Sequence, residues 1–370
     1  MTATWRFWGE ALSTGPLCTG ALSDSQNIIP IIVENFHNRI AERHRAHIGF
    51  IHFCQKDYAP CRVVAFVGRS FIIFMPSRRL LIILVSLPIV FVTGLCASVL
   101  AVGLHLSAPS RAVVGPPPAN LRDAQDFEIA SASGATIKGW WVPASQECRR
   151  AVILMHGVRA NRLSMVKRAE VLRMQGFSVL LFDFQSHGES TGRRITYGRR
   201  EALDAAAAVR FAREIHKCDR VGAIGVSLGG AAALLGSRPL DVDALVLESV
   251  YPNIDAALAN RLRAGLGPIV GGMFTPLLVP TFRLLLPPIL HVKPSALRPI
   301  DRIGLVTAPL LVASGTIDDR TPLDEARSLF DGAPEPKQFW AVPGAAHVDL
   351  EHYDSDSYWK VVLPFLTQHL

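Results

Sequence analysis

Hydrophobic and polar positions divide this chain into two regimes. From Leu80 to Leu104, 25 residues run without a charge. A helix of that length spans about 37 Å, enough to cross a bilayer core of about 30 Å with some tilt. Pro88 and Gly94 are tolerable in such a helix. From Phe127 onward, short apolar runs alternate with stretches of helical period. Phe127 to Ala132 and Thr136 to Val142 predict a hairpin turning at Ser133-Gly134. Ala151 to Met155, Ser178 to Phe182, Val221 to Ile224, Ala244 to Leu247, Pro309 to Ala313 and Gln338 to Val342 predict further strands. Helices are predicted from about Leu163 to Met174, over Glu201 to Ile215, over Ala231 to Leu235 and, closing the chain, over Tyr358 to Leu370. Strands alternating with helices imply an α/β fold, a mostly parallel sheet with helices on both faces. Residues 251–300 break the alternation with runs such as Pro276-Leu-Leu-Val-Pro280. They predict a lid insert between two strands.

The organisation that follows is an N-terminal extension over 1–79, a transmembrane signal anchor over 80–104, a Pro-rich linker over 105–124 and one α/β domain over 125–370. In the extension, Trp5, Trp8, the run from His37 to His47, and Cys18, Cys54 and Cys61 form no recognisable module. Three readings stand open there: a basic arm on a membrane surface, a poorly ordered stretch, or translation beginning at Met75. Met75-Pro-Ser-Arg-Arg79 followed at once by apolar residues has the layout of an exported protein's start. The apolar run exceeds the roughly 7–15 residues of a cleaved signal peptide, so an uncleaved anchor is expected. Arg62, Arg69, Arg78 and Arg79 precede it closely, and only Arg111 and Arg122 follow it closely, which keeps the N-terminal side in the cytoplasm and exports the domain.

A hydrophobic content of 49% suits a membrane segment. The net charge of +7 is carried by scattered residues. With no zinc-ligand spacing and no phosphate-binding glycine loop, nucleic acid is not expected as a partner, nor is a metal or cofactor.

The chemistry gathers at Arg220-Val-Gly-Ala-Ile-Gly-Val-Ser-Leu-Gly-Gly-Ala-Ala-Ala-Leu-Leu235. An apolar strand runs through an abrupt glycine turn into an alanine-rich helix. Ser227 sits at the turn inside Gly225-Val-Ser-Leu-Gly229, where a strained backbone lifts its hydroxyl out of the sheet. A serine hydroxyl is nearly inert at neutral pH and needs a base.

The chain from about residue 125 to 370 resembles the α/β-hydrolase superfamily. The resemblance rests on Leu154-Met-His-Gly157, Phe182-Asp-Phe-Gln-Ser-His-Gly-Glu-Ser190, the Ser227 turn, Ser314-Gly-Thr-Ile-Asp318 and Gly344-Ala-Ala-His347. It implies an eight-stranded sheet, a lid over residues 251–300 and a triad in the order Ser227, Asp318, His347. His156 and His187 look structural by position, His291 lies in the insert, and His352 falls past the loop. Asp319 and Glu248 compete with Asp318 for the acid; Asp319 could instead cap the following helix, and Glu248 could be a structural carboxylate bonded to loop amides. The oxyanion donors implied are the backbone amides of Leu228 and Val158. Ser186 stands where the family usually has glycine.

The resemblance implies a membrane-anchored serine hydrolase that cleaves an ester or thioester through an acyl-enzyme, and the apolar insert argues for a hydrophobic, lipid-like acyl group, against the alternative of a lid packed for stability alone. An acyltransferase or peptidase would use the same triad, and a non-catalytic envelope binding protein would keep the fold alone. In the superfamily's strand order, the strands after Cys148 and Cys218 are parallel neighbours. The two cysteines stand at matching depth before them, so a disulfide is expected there, against the alternative of two unrelated buried thiols.

Overall fold

A computed structural model describes residues 50–53, 62–67, 70–74 and 77–370 except Gln146. The chain divides into two compact units, Met1–Ile82 and Ile83–Leu370. In the first unit, β1 (Phe50–Phe53), β2 (Arg62–Val67) and β3 (Ser70–Phe74) form an antiparallel sheet in that order. The sequence pattern did not point to it. Trp5, Trp8, Cys18, Cys54, Cys61, Met75 and the run from His37 to His47 lie outside the described residues.

The chain continues through α1 (Arg78–Leu106), β4 (Ser110–Arg111), β5 (Gln125–Ala130), β6 (Thr136–Val142), β7 (Arg150–Met155), α2 (Val166–Met174), β8 (Ser178–Phe182), β9 (His187–Gly188) and α3 (Glu201–Arg210). It then forms β10 (Arg220–Val226), α4 (Leu228–Leu234), β11 (Ala244–Glu248), α5 (Ile254–Leu266), α6 (Pro268–Leu290), β12 (Leu310–Gly315), α7 (Leu323–Gly332), β13 (Lys337–Val342), α8 (Leu350–Tyr353) and α9 (Ser355–His369).

The main sheet has the order β13-β12-β11-β10-β7-β8-β6-β5. The pairings from β13 through β8 are parallel, and β6 is antiparallel to both β8 and β5. Parallel strands covered on both faces read as continuous apolar runs, as here. Alternate residues feed two cores. Ile153, Ala223, Leu245, Leu247 and Val312 join the layer containing Ala205 and Ala208 of α3, Ala231 and Leu234 of α4, and Leu329 of α7. Val152, Leu154, Ile224, Val246 and Leu311 join Leu172 of α2 and Tyr358, Val362 and Leu366 of α9 on the other side.

One expectation changes, and the insert gains a defined structure. Residues 105–124 were read as a linker, yet much of this stretch is bonded to the domain. β4 pairs with β9, and the amides of Val114 and Gly115 reach Glu189 Oε1. The insert is a helical hairpin, α5 and α6, despite prolines at 276, 280, 287 and 288 inside α6. Proline removes a helical hydrogen bond and crowds the preceding turn, which is why the sequence reads there as irregular.

Cys148 and Cys218 are joined in a disulfide, with Cα atoms 4.5 Å apart. β7 and β10 pair Arg150 with Arg220, so the cysteines stand two residues before matched positions. The enclosed separation of 70 residues stabilises the fold by about 4 kcal/mol in the chain-entropy account.

Candidate active site

Ser227, Asp318 and His347 leave the same edge of the sheet, because β10, β12 and β13 run in one direction. Ser227 directly follows β10 and takes φ 50°, ψ −104°. That left-handed backbone is costly for any residue but glycine. It is held by the Ser227 amide donating to the Glu248 carbonyl at 2.7 Å and the Ala231 amide donating to the Ser227 carbonyl at 3.0 Å. The flanking glycines are required by contact: a Cβ on Gly225 would come 2.6 Å from the Gly230 nitrogen, and one on Gly229 2.2 Å from the Met155 carbonyl.

Asp318 follows β12 by three residues and His347 follows β13 by five. His347 Nδ1 lies 2.9 Å from Asp318 Oδ2 and 3.1 Å from Oδ1. Asp318 Oδ1 also accepts from the amides of Arg320 and Thr321. Burial works to raise the Asp318 pKa, but the His347 hydrogen bond and charge and these amides outweigh it, and the carboxyl sits below its ordinary range. Asp318 and His347 are thus brought together. Ser227 shares no hydrogen bond with His347 among the described residues, so serine and histidine meet at the same edge without a formed bond. An unliganded site commonly has this looseness.

The alternative acids take other posts. Asp319 is not the cap of α7, whose N-cap residue is Pro322, a residue with no side chain able to accept from the helix amides. Glu248 is buried, but it bonds side chains rather than loop amides: Arg168 Nη2 donates to it at 2.8 Å and the Tyr358 hydroxyl at 2.5 Å. Arg168 also donates to Asp349, two residues past His347, and so braces that loop. No sequence signal marked Arg168, since its partners lie far along the chain.

The remaining histidines are structural or peripheral. His156 Nδ1 donates to the Gly157 carbonyl at 2.7 Å, and its Nε2 accepts from the Phe184 amide at 3.1 Å. Burial and the neighbouring His187 push its pKa down to about 3, which keeps it neutral. Tying back the Gly157 carbonyl turns the Val158 N–H the opposite way, since the peptide is planar and trans. A Cβ on Gly157 would stand 3.9 Å from the Ser227 Cβ, so this turn flanks the serine. The Leu228 amide lies in the first turn of α4, where no intrahelical acceptor exists. His187 Nδ1 lies against the Gln185 carbonyl, His291 ends α6 and His352 sits in α8. Ser186 takes φ 64°, the conformation a glycine would hold without strain.

Arg261 of α5 was not foreseen. It has no ion-pair partner among the described residues, and burial lowers its pKa against the pull of Tyr197, Tyr251 and Asp318. Among the described residues no group of three or more His, Cys, Asp or Glu side chains is placed to hold a metal ion. One cavity of about 350 Å³, lined by Arg210, Arg213, Glu214 and Asp241, includes none of Ser227, Asp318 and His347.

Known proteins resemble this chain in sequence and fold. A protein of Mycobacterium tuberculosis, Rv2307c, is 32% identical over 294 residues, covering 76% of this chain and 95% of the relative. A family model described as serine aminopeptidase, S33, matches residues 146–298. The chain belongs to the α/β-hydrolase superfamily. YqkD of Bacillus subtilis, 27% identical over 257 residues, covers 65% of this α/β hydrolase and 78% of its own length. The fold matches the Pyrococcus furiosus esterase Pf2001 with a TM-score of 0.58 at 24% identity, over 71% of this chain and 98% of that one. This α/β hydrolase is a serine hydrolase.

Proposed function

We propose that the chain is a membrane-anchored serine hydrolase that cleaves an ester or thioester of a hydrophobic acyl group. The observation that carries this reading is the Asp318–His347 pair beside a serine held in a strained turn. His347 takes the Ser227 proton on Nε2 as Oγ attacks the acyl carbonyl. Asp318 holds Nδ1–H and stabilises the imidazolium. The amides of Leu228 and Val158 receive the oxyanion. Collapse expels the alcohol or thiol with the proton from His347, leaving the acyl group on Ser227. Water then attacks the acyl carbon, giving its proton to His347, and collapse releases the acid as His347 returns that proton to Ser227 Oγ.

The apolar insert supports an acyl pocket. α5 is tied to the acid loop, because Asn260 Nδ2 donates to the Arg320 carbonyl and Glu325. We therefore take α6 as the part of the lid that shifts. We take α1 as the anchor, and the arginines before it support an exported domain. The Cys148–Cys218 bond suits that oxidising compartment.

A panel of p-nitrophenyl esters and acyl-thioesters of increasing chain length, with aminopeptidase substrates alongside, tests the reading on the full chain in detergent. Turnover rising from acetyl toward longer acyl chains is expected. Preference for the peptides would replace the esterase reading with a peptidase, and transfer of the acyl group to an added alcohol in preference to water would make it an acyltransferase.

A further inference from the structure

Two helices among the described residues are long and apolar enough to cross a membrane: α1 and α6. α6 belongs to the lid, and its apolar character is not confined to the side facing the core. Gly271, Phe282, Leu286 and Leu290 are buried. The opposite stripe, at steps of three and four residues, carries Ile269, Met273, Leu277, Pro280 and Leu284. Ile269 is 83% exposed, Met273 66% and Leu284 75%. Arg283 is the one charged residue in the helix. A surface helix of a soluble protein turns a polar face outward, and a helix apolar all round belongs in a core or a bilayer.

The course of α1 indicates what covers this stripe. About 20 helical residues cross a bilayer core, so a span beginning at Leu80 emerges near residue 100. α6 meets α1 just past that level: a Cβ on Gly103 would come 2.6 Å from Leu286 Cδ2. No free tether follows. The Ser107 carbonyl accepts from the Ile195 amide at 2.9 Å, the Ser107 hydroxyl from Arg194 at 3.2 Å, and the His105 carbonyl from Arg159 at 3.4 Å. The last turn of the anchor is thereby fixed to the domain, and with it the depth of α6. At the foot of α6, Arg199, Lys293 and Arg302 line, with His291, a cavity of about 360 Å³, and the two guanidinium groups and the ammonium are matched to anionic lipid headgroups.

We propose that the outer stripe of α6 is seated in the outer leaflet of the bilayer that holds α1, with the basic foot against the headgroups, so that the lid opens toward the membrane and the acyl substrate enters from it. α6 lies in the interface rather than spanning, since its inner stripe stays packed on the domain. The inference rests on α1 being the anchor.

The test uses the full chain in phosphatidylcholine–phosphatidylglycerol vesicles. An environment-sensitive fluorescent amino acid replaces Val92 of α1, Ile269, Met273 or Leu284 of α6, or Met174 of α2, one at a time. Phospholipids brominated near the top of the acyl chain serve as quenchers. Val92 reports the anchor, and Met174, exposed on the opposite face of the sheet, is the control. The expected result is quenching at Val92 and at least twofold more quenching at the three α6 positions than at Met174. Quenching at Val92 with α6 no different from Met174 would overturn the proposal and leave the anchor standing. No quenching at Val92 either would remove the anchor and the proposal together. Lipid shielding of the α6 positions in a chain that sizes as a dimer would give the stripe to a second copy instead. None of these readouts needs turnover, so they are independent of the hydrolase reading.

Discussion

Arg168→Met removes the one cation from a sealed network. Arg168, Glu248 and Tyr358 are all fully buried. The guanidinium donates to Glu248 at 2.8 Å, to the Tyr358 hydroxyl at 3.1 Å and to Asp349 at 3.0 Å. Methionine keeps much of the stem but leaves Glu248 with the tyrosine alone. Breaking a buried pair in this way costs about 3–5 kcal/mol, which lowers the melting midpoint of a domain this size by about 10 °C. The cost depends on pH. Burial already raises the Glu248 pKa, with Arg168 and Tyr358 pulling it back; without Arg168 it rises further. A carboxyl with a folded pKa above its unfolded value favours folding at low pH, and that advantage is lost as pH climbs through the folded value. Asp349 adds the same sign. Burial would raise its pKa, but Arg168 and the amides of α8 hold it low, and the stability this gives above the carboxylate range shrinks in the variant. The gap between parent and variant is therefore smaller at pH 4.5 than at pH 7. Thermal unfolding of the full chain in nanodiscs at both pH values reads it. A variant within about 1 kcal/mol of the parent at neutral pH, or a gap that widens on acidification, would refute the reasoning.

Other outcomes follow from the site and the chain's course. Asp318→Asn is expected to lose about 10⁴-fold in kcat, by analogy with other triad acids, while Asp319→Asn stays near the parent; if Glu248→Gln lost the activity and Asp318→Asn kept it, the acid would be Glu248. Replacing Cys148 and Cys218 together with alanine should lower stability by up to about 4 kcal/mol, and non-reducing peptide mapping should find the two joined; free thiols at both positions in exported protein would rule the bond out. A C-terminal alkaline phosphatase fusion should be active, and an inactive fusion beside an active cytoplasmic reporter would reverse the topology.

Much of this architecture was legible in local pattern. Two-sided burial makes Val152, Leu154, Val246 and Leu311 part of unbroken apolar runs, so the central strands stand out in the sequence. Gly225 and Gly229 are forced by backbone contacts within one turn, which is why the Ser227 elbow reads from five residues. The disulfide could be anticipated because parallel neighbours preserve register. What escaped notice depends on distance along the chain or on competing local rules. Arg168 reaches Glu248 across 80 residues and Tyr358 across 190. Proline chemistry hid α6. The docking of residues 110–115 on the loop after β8 involves strands of two residues, too short to carry a period.

In the proposed reaction Ser227 is the nucleophile and His347 activates it. Incubating the full chain with a fluorophosphonate and locating the adduct by peptide mass spectrometry tests it most directly. One adduct is expected, on Ser227, formed in step with loss of esterase activity and suppressed in His347→Ala. Activity lost with Ser227 unmodified, or a Ser227→Ala protein that still turns over ester at the parent rate, would contradict it.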